Sequence, residues 1–204
     1  MVNHEAQPIP KTEEDLKAKR AVLPSRWTYD VLLSYGGDCE CSSFVNLLYN
    51  SLCQQGIHAL SFVNDELAKT SSGEEFKAIK ESRTAIIVIS KYYKFSPFCL
   101  NSLVTILECF RTECRFICPI FYDVEPLELK HQTGICGELF NTLEKRFKHN
   151  KEQVQKWRLA LSDVVDISNG IFNISPRYVL TISRLSLVIN IFGLFFKYHS
   201  YVSI

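Results

Sequence analysis

Three acidic side chains stand close together in one short stretch of this sequence, and neighbouring carboxylates are a common basis of acid–base chemistry. Asp123, Glu125 and Glu128 follow an apolar run, in the stretch DVEPLE. One carboxyl group of such a set can stay protonated while another stays charged, as general acid and base roles require. The stretch also contains Pro126 and is typical of a loop, so capping and solvation explain the same residues more simply.

Three other features each have a chemical and a structural interpretation. Gly36 and Gly37 could bring backbone amides to a phosphate, but the stretch lacks the spacing of a dinucleotide or P-loop motif, which favours a plain turn. Cys99 could be a reactive thiol at a helix start, but no histidine is near it in the sequence, which favours core packing. His58 and His131 are expected at the surface or at strand ends.

The length and composition favour one domain, or one domain with tails. The chain has 204 residues, of which 47% are hydrophobic, and its formal net charge is +1. No basic stripe stands out, which argues against a nucleic-acid binder held by phosphate contacts.

The cysteines and the N-terminus favour a reducing, cytoplasmic location. None of the eight cysteines forms a C-x-x-C pair, which argues against a zinc site or a redox motif. Four of them stand among apolar residues, where free thiols pack as small hydrophobes: Cys53, Cys99, Cys109 and Cys118. The N-terminus has neither the apolar core of a signal peptide nor a glycine at position 2, so secretion and myristoylation are not expected.

Strands and helices alternate from Trp27 onward. Short apolar runs predict four strands, YDVLLS, IHALSFV, TAIIVIS and RFICPIFYDV, and Pro119 places the last one at an edge or a bulge. Apolar residues at helical spacing predict four helices, with inward residues Phe44, Leu47, Leu48 and Leu52; Phe76 and Ile79; Leu100, Leu103, Val104, Leu107 and Phe110; and Val154, Trp157, Leu161 and Val164. Ser72 and Glu75 have the spacing of a capping box, and the last helix is predicted from about Glu152 to Ile167.

This alternation predicts an α/β domain of the flavodoxin-like class, a three-layer sandwich with a parallel sheet of about five strands. In such folds the functional site lies beyond the carboxyl ends of the strands. Those ends are followed here by GGD, NDELAKTSSG, KYYKFSPF and DVEPLELKHQTG.

Residues 27–170 resemble a plant Toll/interleukin-receptor (TIR) domain in unbroken order. The resemblance is carried by YDVLLSYGGD, by ESRTAIIVISKYY with FCLNSL and ILEC, by CPIFYDVEPLELKHQTG and by FKHNKEQVQKWRLAL. The sequence has no P-loop motif. We therefore expect a TIR-only form related to the N-terminal domain of TIR-type nucleotide-binding leucine-rich-repeat immune receptors.

The resemblance implies two activities, association with other TIR domains and cleavage of the nicotinamide–ribose bond of NAD. The second needs a glutamate in a pattern like W-C-L-x-E-L, where this chain has Phe98 and Ser102 in place of the tryptophan and the glutamate. A serine cannot stabilise an oxocarbenium-like state by charge. Glu108 does not substitute, because six residues of helix turn it about 240° away. The chain is therefore expected to be a pseudoenzyme.

The resemblance also assigns a pocket and an interface. The candidate NAD pocket consists of Gly36, Gly37, Asp38, Phe62, Asp65, Phe98 and Cys99, with Ser102 at the catalytic position. Gly36 stands where the family has an arginine. Asn46 and Leu47 occupy the positions of a Ser-His pair that packs against a partner, and Asn64, Glu66 and Lys69 of the following loop complete the candidate interface.

The two ends of the chain do not resemble the family. Residues 1–26 are predicted to be a disordered arm. Residues 171–204 form an apolar tail, in which 179–196 has the minimum length of a membrane span but contains Arg184 and Asn190, so an anchor and an unrelated segment remain alternatives.

The sequence therefore predicts a cytoplasmic TIR-type module of plant defence signalling that binds other TIR domains. It is expected to hydrolyse NAD weakly or not at all, to need no cofactor and to bind no nucleic acid. The alternative is an active NAD nucleosidase that uses a rearranged carboxylate, or a domain that binds NAD as a ligand without turnover. The two differ in whether any carboxylate reaches Ser102.

Overall fold

The computed structural model describes residues 26–36, 41–63, 72–90, 93, 96–168 and 173–174. The predicted arm, apart from Arg26, lies outside these residues, and so does the apolar tail from 175 onward.

Five parallel strands form one sheet in the order β2-β1-β3-β4-β5. The strands are β1 (Tyr29–Tyr35), β2 (Ala59–Val63), β3 (Ser82–Ser90), β4 (Phe116–Tyr122) and β5 (Asn173–Ile174). The order reverses between β1 and β3, because the chain goes from β1 outward to β2 and then returns to the other side of β1. This is the predicted flavodoxin-like topology.

Six helices connect the strands within the described residues. They are α1 (Ser42–Gln54), α2 (Ser72–Lys80), α3 (Pro97–Thr112), α4 (Pro126–His131), α5 (Gly134–Arg146) and α6 (Lys151–Ser168). The sequence analysis missed α4 and α5. Pro126 begins α4 at a position where its missing N–H costs nothing. Cys136, Phe140 and Leu143 form the buried stripe of α5, a helical spacing that the sequence already contained.

Each face of the sheet has its own core, and β3 contributes to both. Ala85, Ile87 and Ile89 pack with residues of α2, α3 and α6. Ile86 and Val88 pack on the opposite face, with residues of α1. A strand that is covered on both faces must be apolar at every position, which explains the unbroken run TAIIVIS.

Pro119 lies near an edge of the sheet, one of the two places that the sequence analysis allowed, because β4 is next to the edge strand β5. It pairs with Ile87 of β3 on one side. On the other side β5 pairs only with Phe121 and Tyr122 of β4, so within the described residues no residue of β5 is paired with Pro119, whose nitrogen has no hydrogen to donate.

Three predictions of burial were wrong. Leu47 is 50% exposed and Phe76 is 43% exposed, and Cys53 is an exposed free thiol. Leu47 lies on the outer side of α1, next to the buried Leu48. Phe76 lies under the ammonium of Lys80, which is 4.4 Å from the ring centroid, so it is covered by a cation rather than by the core.

Arg115 connects the end of α2 to the start of β3 through hydrogen bonds. Its side chain is only 4% exposed and lies between the rings of Phe110 and Trp27, with Cζ 3.8 Å and 5.0 Å from their centroids. Nη1 donates to the carbonyl of Ile79 at 2.9 Å and to that of Ser82. The guanidinium thereby satisfies carbonyls that the end of a helix leaves free.

Candidate functional site at the carboxyl edge of the sheet

The topological switch point lies between the carboxyl ends of β1 and β3. The helices that leave these strands, α1 and α3, pack on opposite faces of the sheet, and in folds of this class the ligand-binding crevice lies between such helices. Gly36 follows β1 and is buried, and Ser90 ends β3 and is also buried. Any chemistry of the α3 start therefore takes place at this edge.

The first turn of α3 has a cap that the sequence analysis did not identify. The side chain of Ser96 accepts a hydrogen bond from the backbone N–H of Cys99 at 3.2 Å, and Pro97 occupies the first turn. Both features define a helix start. They fix the positions of the residues that follow.

Cys99 is fully buried, as the core-packing interpretation predicted. It is a free thiol. Phe98 is half-buried beside it.

Ser102 is 2% exposed, and its hydroxyl donates a 3.1 Å hydrogen bond to the carbonyl of Phe98 one turn earlier. This back-bond uses the single hydrogen of the hydroxyl. The position at which the resemblance implies a carboxylate therefore holds a buried, neutral group.

Asn101 anchors the same turn to α6. Its Oδ1 accepts a 2.8 Å hydrogen bond from Nε1 of Trp157 and a 2.9 Å hydrogen bond from Nε2 of Gln153. A buried indole N–H needs such a partner. The residue beside Ser102 is therefore held by a helix that begins far along the chain.

A carboxyl group near Ser102 belongs to a residue that the sequence analysis assigned only to a capping box. Glu75 lies in the first turn of α2, and its carboxyl group interacts with Ser102 of α3. Its Oε1 is buried without a hydrogen-bond partner. Burial raises the pKa of the Glu75 carboxyl, and the hydrogen bond with Ser102 opposes that rise.

The sequence contained one signal for this contact. Glu75 stands four positions before the buried Ile79, so both lie on the inward face of α2. Glu108, the residue that was considered and set aside, is exposed, as expected.

The carboxylates that suggested acid–base chemistry lie around a second cleft, at the end of β4. It has a volume of about 390 Å³ and is lined by Ser90, Asp123, Val124, Glu125, Glu128, Leu129, Gly134, Ile135 and Cys136. Asp123, Glu125 and Glu128 are exposed, which confirms that they are solvated. The Glu125 side chain makes no capping bond although this residue is the N-cap of α4.

The described thiol that lines this cleft is not activated. Burial raises the pKa of the Cys136 thiol to about 11, so this thiol stays protonated at neutral pH. No group of three His, Cys, Asp or Glu side chains in the described part of the chain could hold a metal ion.

The remaining predicted residues divide between the described and the undescribed parts of the chain. Asn46 and Leu47 are exposed on α1, as an interface requires. The backbone of Phe62 pairs with Ser34 in the sheet. Outside the described residues lie Gly37, Asp38, Asn64, Asp65, Glu66 and Lys69, together with the side chain of Phe62.

The cysteines and histidines follow the expectations in most cases. Six described cysteines are free thiols, whereas Cys41 is disulfide-bonded, a bond that the sequence analysis did not predict. His58 and His131 are exposed.

In the part of the chain that the structure describes, none of the helices has the length and apolarity to cross a bilayer.

Comparisons with known proteins identify the same family as the sequence resemblance. The family model "TIR domain" matches residues 28–179. The "TMV resistance protein N" of Nicotiana glutinosa is 38% identical over 152 residues, which are 73% of this chain and 13% of that protein. The "Disease resistance protein RPV1" of Vitis rotundifolia is 36% identical over 158 residues, which are 76% of this chain and 11% of that protein. The chain thus spans about an eighth of the length of these relatives.

A solved structure agrees with these relatives. The TIR domains of the activated Roq1 resistosome, which directly recognises the pathogen effector XopQ, match with a TM-score of 0.68 and 33% identity. The match covers 80% of this chain and 98% of that one.

Proposed function

Since the chain belongs to the TIR domain family and is related to plant disease-resistance proteins, we propose that it is a defence-signalling module that associates with other TIR domains and hydrolyses NAD weakly or not at all. The catalytic part of this proposal rests on the state of Ser102 in the structure. Its hydroxyl is buried and donates its only hydrogen to the Phe98 carbonyl. Such a group carries no charge with which to stabilise an oxocarbenium-like state.

In the proposed function, the carboxyl group of Glu75 does not replace the glutamate that is missing at position 102. Burial raises the pKa of its carboxyl, which favours the neutral form, and a neutral carboxyl stabilises a cation far less than a carboxylate does. A positioned acid or base contributes about 10²–10⁴-fold to a rate. The proposed activity is therefore lower than that of an active TIR domain by about this factor.

An NAD-consumption assay on the purified full chain tests the catalytic part. We expect nicotinamide release at background, with an active TIR domain as the positive control. Ser102→Glu alone places a second carboxyl group near Glu75, which hinders ionisation of both. The double variant Ser102→Glu with Glu75→Gln avoids this repulsion, and we expect it to release nicotinamide faster than the single variant. Wild-type release at the rate of the positive control contradicts the proposal.

The association part rests on surfaces rather than on chemistry. Asn46 and Leu47 are exposed on α1, but they lack the Ser-His pair that the resemblance implies for symmetrical pairing. We therefore propose mixed pairing through the loop between Val63 and Gly73, with the chain acting as an adaptor or a damper of an active receptor.

Co-expression with an active TIR receptor tests this role. The full chain is expected to lower the NAD consumption of the receptor, and exchange of the 63–73 loop is expected to abolish the effect. If the rate is unchanged and no complex is recovered, the damping role is wrong.

A second candidate function is NAD hydrolysis with Glu75 as the carboxylate. The contact between Glu75 and Ser102 favours it, because it brings a carboxyl group from α2 to the place of the missing one. This function predicts release that rises with pH as Glu75 ionises and that is lost in Glu75→Gln. Release that survives Glu75→Gln eliminates this candidate.

A further inference from the structure

The turn between α5 and α6 concentrates positive charge. Residues 145–151 read KRFKHNK and contain Lys145, Arg146, Lys148 and Lys151 but no acidic residue. The whole chain has a formal net charge of only +1, so the rest of the chain is net negative. The small total charge therefore conceals one local positive surface, which we call the basic turn and define by these four cations.

Phe147 holds the basic turn on the domain. Its ring packs edge-on against Trp157 of α6, with centroids 5.2 Å apart, and its carbonyl accepts a 2.8 Å hydrogen bond from the N–H of Asn150. Asn150 in turn caps α6, because its Oδ1 accepts a 3.3 Å hydrogen bond from the N–H of Gln153. The turn is thus fixed from within, and the four cations around Phe147 are exposed.

The carboxylates that flank the basic turn are paired with other cations. Oε1 of Glu144 accepts hydrogen bonds from Nη2 and Nε of Arg158, at 2.8 Å and 3.1 Å. Glu152 pairs with Lys156 at 3.2 Å, one turn further along α6. Among the residues that the structure describes, no carboxylate forms an ion pair with a cation of the basic turn. The positive charge of this surface therefore faces solvent.

The acidic residues around the cleft at the end of β4 lie too far away to neutralise the basic turn. The cleft is lined by Gly134, which begins α5, and Arg146 ends the same helix. At a rise of 1.5 Å per residue, the helix separates its two ends by about 18 Å. The Debye length at physiological ionic strength is about 8 Å, so the charges of the cleft are largely screened at the basic turn.

Exposed apolar side chains share one stripe of α5 with Arg146. Ile135, Leu139, Thr142 and Arg146 follow each other at the spacing of one helix face. Ile135 is 53% exposed and Leu139 is 37% exposed. Exposed aliphatic side chains beside cations are typical of helices that lie in a membrane interface, where the apolar groups enter the acyl boundary and the cations meet the headgroups.

The same features disfavour nucleic acid as the partner. Single strands are held by bases that stack on exposed aromatic rings, whereas Phe147 is half-buried against Trp157. Phosphate contacts make no use of Ile135 or Leu139. Three of the four cations are lysines, whose compact charges suit a diffuse anionic surface better than bidentate recognition of one phosphate.

We propose that the basic turn and the exposed stripe of α5 form a surface that docks the domain onto an anionic lipid membrane. This surface is separate from residues 179–196, the candidate anchor, which lie outside the described residues. The inference goes beyond the proposed signalling role, because it depends neither on NAD nor on another TIR domain. Membrane binding through this surface is reversible and weakens with salt, since the cations supply most of the attraction.

Cosedimentation of the full chain with lipid vesicles tests this surface. Phosphatidylcholine vesicles that contain phosphatidylserine are compared with vesicles of phosphatidylcholine alone, which measure any binding that needs no lipid charge. Wild type is expected to bind the anionic vesicles more tightly, and this binding is expected to fall as the salt concentration rises. Equal binding to the two kinds of vesicle overturns the proposal.

Two double variants locate the binding surface. Each cation near an anionic membrane strengthens binding about fivefold, so Lys148→Gln with Lys151→Gln is expected to weaken binding to the anionic vesicles about 25-fold. The matched control, Lys77→Gln with Lys80→Gln, removes two exposed lysines from α2 and is expected to leave binding within about twofold of wild type. Equal losses in the two double variants overturn the proposal.

Leu139→Gln and duplex DNA separate a lipid surface from a nucleic-acid surface. Leu139→Gln is expected to weaken binding to the anionic vesicles at every salt concentration, because salt does not screen apolar insertion. Unchanged vesicle binding by this variant overturns the proposal. Binding of DNA that requires Lys148 and Lys151, without binding to anionic vesicles, assigns the surface to nucleic acid and also overturns it. The substituted side chains are exposed, so thermal unfolding of every variant is expected to match wild type.

Discussion

Trp157 Nε1 donates a 2.8 Å hydrogen bond to Oδ1 of Asn101, and this bond fixes the start of α3 against α6. Asn101 directly precedes Ser102, so the orientation of the candidate site depends on a helix on the far side of α3. The bond also satisfies an indole that is otherwise packed against the edge of the Phe147 ring, with centroids 5.2 Å apart. A part-buried polar contact of this kind helps to specify the position of one helix on another.

Asn101→Ala is expected to destabilise the chain by about 1–3 kcal/mol, because the buried indole N–H loses its partner. Trp157→Phe removes the donor together with part of the core, and the double variant is expected to cost less than the sum of the two. Chemical denaturation measures the free energy of unfolding of the two single variants and the double variant. Asn50→Ala, on the exposed side of α1, is the control and is expected to change stability by less than about 0.5 kcal/mol. Additive effects would show that the two side chains do not interact.

Arg115→Lys is expected to destabilise the chain by about 2 kcal/mol, since it loses hydrogen bonds to carbonyls worth about 0.5–1.5 kcal/mol each. A lysine cannot reproduce a guanidinium stacked between two rings. The matched control is Arg111→Lys, because Arg111 forms an exposed pair with Asp163 at 2.8 Å, and such pairs contribute about 0–1 kcal/mol. Thermal unfolding compares the two variants, and equal losses would contradict the structural role of Arg115.

Leu47 and Leu48 are adjacent on α1, but their substitutions are expected to affect different properties. Leu48→Ala should lower stability, whereas Leu47→Lys should affect association. Leu48→Ala is expected to cost about 2–5 kcal/mol, because Leu48 is fully buried. Leu47→Lys is expected to leave stability within about 0.5 kcal/mol, because that side chain is half exposed. If α1 is an interface, Leu47→Lys lowers recovery of the complex in co-purification with a TIR partner. A large loss of stability in Leu47→Lys would show that Leu47 belongs to the core.

Thiol alkylation of the native chain is expected to divide the cysteines by burial. Cys53 and Cys114 are exposed free thiols and are expected to react first. Burial raises the pKa of Cys118 to about 12 and that of Cys136 to about 11, so both are expected to react only after unfolding, since the thiolate is the nucleophile. Mass spectrometry of peptides after short exposure to iodoacetamide measures the order. Early labelling of Cys118 would contradict its burial.

The sequence by itself determined the fold class and the edge of the sheet at which the candidate site is expected. Apolar strands that alternate with amphipathic helices can bury their surfaces only in a layered α/β domain, and parallel strands bring the loops after their carboxyl ends to one edge. The inward residues of α6, from Val154 to Val164, also follow from spacing alone, because one face of a helix repeats every 3.6 residues. The same rule predicted too much burial for Leu47 and Phe76, since the width of a buried stripe depends on the neighbouring elements.

Only the tertiary structure decided which polar groups meet in that domain. The capping-box interval of Ser72 and Glu75 indicates nothing about α3, yet burial and an interaction with Ser102 of α3 are what set the pKa of the Glu75 carboxyl. Asn101 and Trp157 also meet across two helices, and neither residue has a local pattern that indicates the other. A hydrogen bond between two helices requires both to be placed to within a fraction of its length, and that placement results from the whole core rather than from either segment.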